Sequence, residues 1–283
     1  MYKDHAFTRE LGRSRIAQVS AAVAVLYLFV GAFGPFLAPY DPIEIVSSPR
    51  MSPSGEHWMG TDEIGRDTFS RILFGARGAL TVGFVAIGIG LFIGGAIGLV
   101  AGFYGSTIDA VLMRLMDILL TFPGLLLALA VITFLGTGLV NTMIAIGIGG
   151  IPGYARLVRG EVLTLLNRDH VLAARSIGVN TMGLMTRHLL PLAMSSVLVY
   201  STAQLARAIL TEAGLSFLGL GIQPPTPSWG SMIASGQRLF LSANGDLPVD
   251  PGPERHRIPT GRRVVSTPVL GGLHHDYRFE RAA

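Results

Sequence analysis

Ala17 to Leu37 is an unbroken run of 21 residues without a charged side chain, and it restricts the chain more than any other feature. Coiled as a helix, such a run is about 31 Å long, which matches the hydrocarbon core of a bilayer. A helix also satisfies its own backbone N–H and C=O groups, as lipid requires. Four further apolar stretches follow the first: Ala79–Gly102, Ile108–Leu135, Leu139–Ala155 and Pro191–Ile222. Together they predict an all-α, polytopic membrane protein of about five spans. Charged residues make up only 14% of the chain, with mean hydropathy +0.52, against roughly a quarter in soluble domains.

The charges that remain sit between the apolar runs. Lys3, Arg9, Arg13 and Arg15 precede the first span. Its length exceeds an ordinary signal-peptide core and no clear cleavage site follows, so it reads as an uncleaved anchor with segment 1–16 inside. Segment 38–78, polar and proline-rich at its start, is then an extracytoplasmic loop. Within it Gly65 permits a turn, and Asp67 is placed to cap the helix that follows. Five arginines, at 156, 159, 168, 175 and 187, lie in or beside segment 160–190, which reads as a cytoplasmic loop inside a core of 79–240. Arg114 and Asp117 are three apart and can pair on one helical face. Arg207 and Glu212 lie inside the last apolar stretch, five apart, so an ideal helix does not align them; each can face a polar pathway. That stretch is too long for one straight span, and a break is expected near Gly214 or at Gly219 to Gly221. After Phe240 no apolar run approaches a span. Segment 241–283, with six arginines, five acids and five prolines, reads as a polar tail of loop or disorder.

Several classes are excluded. There is no cysteine, so no disulfide framework or thiolate site exists. Lys3 is the single lysine and no G-x-x-x-x-G-K-[ST] occurs, so the chain holds no ordinary nucleotide-binding loop. An ion-driven transporter needs ionisable groups within its spans, and three of the five carry none. The clustering of arginine between apolar runs argues against nucleic acid as a partner.

Ala173-Ala174-Arg175-Ser176-Ile177-Gly178, with Leu190-Pro191 beyond it, describes a short helix with small residues on its face and a sharp exit. RDHVLAARSIGVNTMGLMTRHLLP as a whole resembles the EAA loop of ABC importer permeases. HWMGTDEIGRDTFSRILFGARGAL at 57–80, MRLMDILLTFPGLLLA at 113–128 and TEAGLSFLGLGIQPPTPSWGSMI at 211–233 resemble the dipeptide, oligopeptide and nickel branch of that family. The resemblance implies a bacterial inner-membrane, multi-pass permease subunit for peptides or a related solute such as a nickel chelate. It implies a second permease subunit, two ATPase subunits that bind ATP and magnesium, and an extracytoplasmic substrate-binding protein, with no cofactor in this chain. It also implies that Leu172, Ala173, Ala174, Arg175, Gly178 and Pro191 couple to the ATPase, and Arg207, Glu212, Arg114 and Asp117 are candidates for the pathway or its gate. Leu172 stands where the family usually has glutamate. The family normally continues into a final apolar helix, so the tail is expected to be a frameshifted or otherwise replaced ending, and the chain a weakened or inactive permease.

The topology has a direct test. A cysteine placed at Ser54 is expected to react with a membrane-impermeant maleimide in intact spheroplasts, and labelling only after membrane disruption would reverse the orientation.

Overall fold

The computed structural model describes residues 14–243, 262–269 and 274–281. It divides into two compact units, Met1–Arg238 and Leu239–Ala283.

The first unit is helical. Helix α1 runs Arg15–Leu37 and is capped by Ser14, whose side chain accepts from the Ala17 N–H. Helices α2 (Thr68–Ile89) and α3 (Gly95–Tyr104) are joined through a π-helical turn at Gly90–Gly94. Next come α4 (Ser106–Leu120), α5 (Gly124–Leu135), α6 (Leu139–Leu165) and the short α7 (Asp169–Ser176). One turn, α8 (Thr181–Gly183), passes through a second π-helical segment, Leu184–Leu189, into α9 (Leu190–Phe217), and α10 begins at Trp229 (Trp229–Ala243). Among the described residues three helices are long and apolar enough to cross a membrane: Arg15–Leu37, Thr68–Tyr104 and Thr181–Phe217. The pair α4 and α5 adds a fourth crossing if counted as one span, bent by 89°. Helix α6 has the length, but its uncharged run, Leu139–Ala155, stops at Arg156.

Three boundaries differ from those read in the sequence. The second span starts at Thr68 rather than Ala79, because Asp67 caps it by accepting from the Ser70 N–H at 2.8 Å. The third is not one helix: Pro123 lacks the N–H that would continue α4, and the chain turns there. The fifth begins at Thr181, ten residues before Pro191. The wider π turn just before Pro191 makes room for its ring and its missing donor, so the helix passes through it. Helix α9 ends at Phe217, with Gly219 at φ +78 just beyond, where a break was expected.

Loop 38–67 is closed by its own polar groups. Asp62 Oδ1 accepts from the N–H groups of Ile64 and Arg66, and its Oδ2 from Arg66 Nε at 2.7 Å. Burial pushes the Asp62 carboxyl up, but these bonds outweigh it and hold it below the usual carboxylate range. Buried Asp67 faces His57 Nδ1 at 3.0 Å. Arg71, buried in α2, donates to the carbonyls of Pro42 and Pro225, and Trp229 Nε1 donates to the Ile72 carbonyl. Segments 57–80 and 211–233 are therefore one structural unit.

In the second unit β1 (Arg262–Val269) pairs antiparallel with β2 (His274–Arg281), Arg262 opposite Arg281 and Val269 opposite His274. Composition had indicated loop or disorder here. Net polarity hid the local signal: Val264, Val265, Thr267 and Val269 are β-branched, and Gly271-Gly272 stands between the strands in the sequence. The rest of segment 241–283 after Ala243 lies outside the described residues, as does most of segment 1–16.

Helices α2 and α3 meet α6 through Gly90, Gly94, Gly98 and Gly102, each four residues from the last. A Cβ on Gly94 would sit 2.3 Å from the Ile151 carbonyl oxygen, and one on Gly98 2.3 Å from that of Ala155. Small residues at this spacing let two backbones touch, which is how helices associate when lipid supplies no hydrophobic drive. Gly98→Ala is therefore expected to lower the thermal stability of the purified protein by several degrees, whereas Gly88→Ala, which meets nothing within 4 Å, leaves it unchanged. Equal melting temperatures would contradict this packing.

Candidate translocation path and coupling segment

Helix α7 is eight residues long, with Asp169 in its first turn and Arg175 in its last, each charge favourable to the helix dipole. Gly178 follows at φ +82, where a residue with a Cβ is disfavoured. Val171 and Ala174 point inward, 1% and 6% exposed, into a cluster with Tyr154, Val158, Val162 and Leu189. The two alanines therefore do not share an outward face. Ala174 anchors the helix to its own bundle, and the outward side is built from Leu172, Ala173, Arg175 and Ile177, with Met182 beyond Gly178. Ile177 is 82% exposed and Met182 69%, which leaves apolar surface open in the arginine-rich segment that holds Arg168, Arg175 and Arg187. Pro191 is not on this face; it sits in the first turn of α9.

A cavity of about 360 Å³ opens between α2, the α4–α5 break, α6 and α9. Leu120, Phe122, Leu125 and Ile146 give it apolar walls, and the half-buried Gly149-Gly150 line it without a side chain. The polar wall is α9, which contributes Gln204, Arg207 and Thr211. Offsets of three and seven residues place these on one helical face. Tyr154 completes the polar side; its hydroxyl bonds Ser201 Oγ at 2.9 Å, and its ring lies edge-on to Tyr200 at 5.0 Å. The same Tyr154 belongs to the cluster that holds Val171 and Ala174, so the inner face of α7 and the cavity wall share a side chain.

The remaining candidates have separate places. Glu212 is away from the cavity, 1% exposed. Its Oε1 accepts from Ser216 Oγ at 2.7 Å, the Ser228 hydroxyl also reaches it, and Ser216 Oγ accepts the Ile222 N–H. Glu212 thus locks the turn after α9, which corrects its reading as a pathway residue. The proposed pair of Arg114 and Asp117 is replaced by contacts between helices: Asp117 pairs with Arg156 and Asp109 with Arg159, the latter through both carboxylate oxygens. These join α4 to α6. Arg114 is exposed and without an ion pair among the described residues. Sequence reasoning passed over Gln204, Thr211 and Tyr154, although the spacing around Arg207 was visible, and it passed over Asp109 with Arg159, 50 residues apart, for which no local signal exists.

Residues 94–248 match the family described as binding-protein-dependent transport system inner membrane component, and residues 5–53 match the N-terminal TM domain of oligopeptide transport permease C. The glutathione transport system permease protein GsiD of Pectobacterium atrosepticum is 41% identical over 229 residues, 80% of this chain and 76% of the relative. Its counterpart of the same name in Escherichia coli is 44% identical over 231 residues, 81% and 76% of the two chains. Among solved structures, the MetNI methionine ABC transporter in inward-facing conformations aligns with 62% of this chain and 93% of its own, at 20% identity and TM-score 0.47.

The role assigned to Glu212 predicts a contrast between two substitutions. Glu212→Gln keeps an oxygen acceptor for Ser216 and is expected to stay close to the parent in stability. Glu212→Leu leaves buried hydroxyls unpaired and is expected to cost about 1–3 kcal/mol, read as lost resistance to denaturant in detergent; equal behaviour of the two variants would contradict the role.

Proposed function

The chain belongs to the family of binding-protein-dependent transport system inner membrane components, and from that membership we propose that it lines part of the translocation path of an ATP-driven importer of short peptides or a related small solute. As a member of the family it is an inner-membrane transport subunit. Its partners in the proposal are a second permease subunit, two ATPase subunits that carry ATP and magnesium, and an extracytoplasmic binding protein that sets most of the substrate choice. Permeases named for glutathione at 41% and 44% identity support a peptide-like substrate carrying carboxylates.

The observation that carries the coupling role is the outward face of α7. Ala173 offers no bulk, while Leu172, Ile177 and Met182 offer apolar area that water does not favour. A cleft on an ATPase would cover that area. Closure of two such ATPases around ATP would push α7, and its inner residues Val171 and Ala174 pack in the cluster that contains Tyr154. The push reaches the cavity wall through close-packed side chains, which transmit displacement because they cannot be compressed. The ion pairs from α6 to α4 carry it on to the break at Thr121–Pro123. The loss of apolar character after Leu241 favours a second reading, a permease impaired by a replaced final segment; normal transport by this chain would exclude it.

In liposomes containing the complete importer, Ala173→Asp and Gly178→Trp are each expected to reduce substrate-stimulated ATP hydrolysis and uptake by about tenfold or more, the equivalent of ~1.4 kcal/mol of lost docking. Full activity in both variants would remove α7 from the coupling role.

A further inference from the structure

Among the described residues Arg207 is the one charged side chain lining the cavity, and it lies ten residues before the end of α9, about 15 Å along the helix. A guanidinium has five N–H donors and no acceptor, and among the described residues no hydrogen bond or ion pair engages those of Arg207. The acid nearest in sequence, Glu212, is committed to Ser216 and Ser228. The other polar groups around the cavity are neutral: Gln204 donates to the Tyr200 hydroxyl at 2.9 Å, Thr211 donates to the Arg207 carbonyl, and the Tyr154 hydroxyl is bonded to Ser201. Arg207 is exposed at this wall, and a cation within an apolar span is costly unless something answers it. The walls opposite, Leu120, Phe122, Leu125 and Ile146, cannot.

Resting on the importer reading above, we propose that Arg207 is a transit subsite for the carboxylate of the transported solute, with the Gln204 and Thr211 oxygens placed to accept N–H groups from the same molecule. A planar guanidinium suits a carboxylate through two parallel bonds. The cavity volume falls in the range of small-molecule sites, and its apolar walls would take a side chain without binding it tightly. A positive charge beside apolar walls also concentrates anions. The subsite therefore favours solutes with a free carboxylate over the corresponding amides.

The chain has no cysteine, so a single reporter can be read cleanly. Gly149→Cys lies on the cavity wall, where an added side chain meets nothing within 4 Å. In the complete importer its reaction with an anionic sulfonatoethyl methanethiosulfonate is compared with that of the cationic trimethylammonium reagent, each normalised to free cysteine. The anionic reagent is expected to be favoured by about tenfold, with the preference lost in Arg207→Gln and kept in Arg207→Lys. Millimolar glycylglycine is expected to slow the labelling while glycylglycinamide does not, and Arg207→Gln abolishes that difference. A preference that is absent, or that survives Arg207→Gln and so belongs to another cation, would overturn the proposal; equal protection by the two peptides would overturn it as well. Uptake by the parent importer is measured beside these rates, so that failure of transport itself is seen separately from failure of the subsite.

Discussion

The backbone contact between α2–α3 and α6 is the constraint on which the rest of this structure depends. Apolar side chains gain nothing from leaving lipid for one another, so these helices hold together only where their surfaces fit. Gly90, Gly94, Gly98 and Gly102 bring one backbone to the carbonyls of Ile151, Ala155 and Arg159 on the other. With α6 fixed in this way, its face carries Tyr154 into the cavity and presents Arg156 and Arg159 to the acids of α4. Its far end leads directly into α7. Scaffold, cavity wall and the exposed α7 segment are parts of one rod and its attachments.

The apolar runs were legible because bilayer thickness imposes a length that composition cannot hide. Interruptions were less so. Ile108–Leu135 reads as continuous by hydropathy, and only Thr121-Phe122-Pro123-Gly124 marks the 89° bend. Conversely Pro191 looked like a beginning, yet the π turn at Leu184–Leu189 carries the helix through it. Proline removes one donor in both places; whether the helix breaks depends on what the neighbouring turn can absorb, which is a tertiary matter.

The site was legible in its residue types and much less in its pairings. Ala173 and Ala174 are adjacent, and on an eight-residue helix adjacent residues point about 100° apart, so one faces outward and the other packs inward. Arg207 and Glu212 were equivalent as charges in an apolar stretch, but Ser216 and Ser228 capture the acid and leave the arginine facing the cavity. Asp117 had a partner three residues away and took one 39 residues away instead. The contact between helices ties two rods together, and a pair within one turn does not.

Movement of α7 that reaches the cavity would change distances across it, and spin labels on its lining read that change. Labels at Leu120 on α4 and Gly149 on α6, both lining the cavity, would be measured in the complete importer with and without trapped ATP. The distance distribution is expected to shift by several ångströms on trapping and to cease shifting when Ile177→Asp disrupts the outward face of α7. An unchanged distribution in the parent protein, or the same shift in the variant, would contradict transmission from α7 to the cavity.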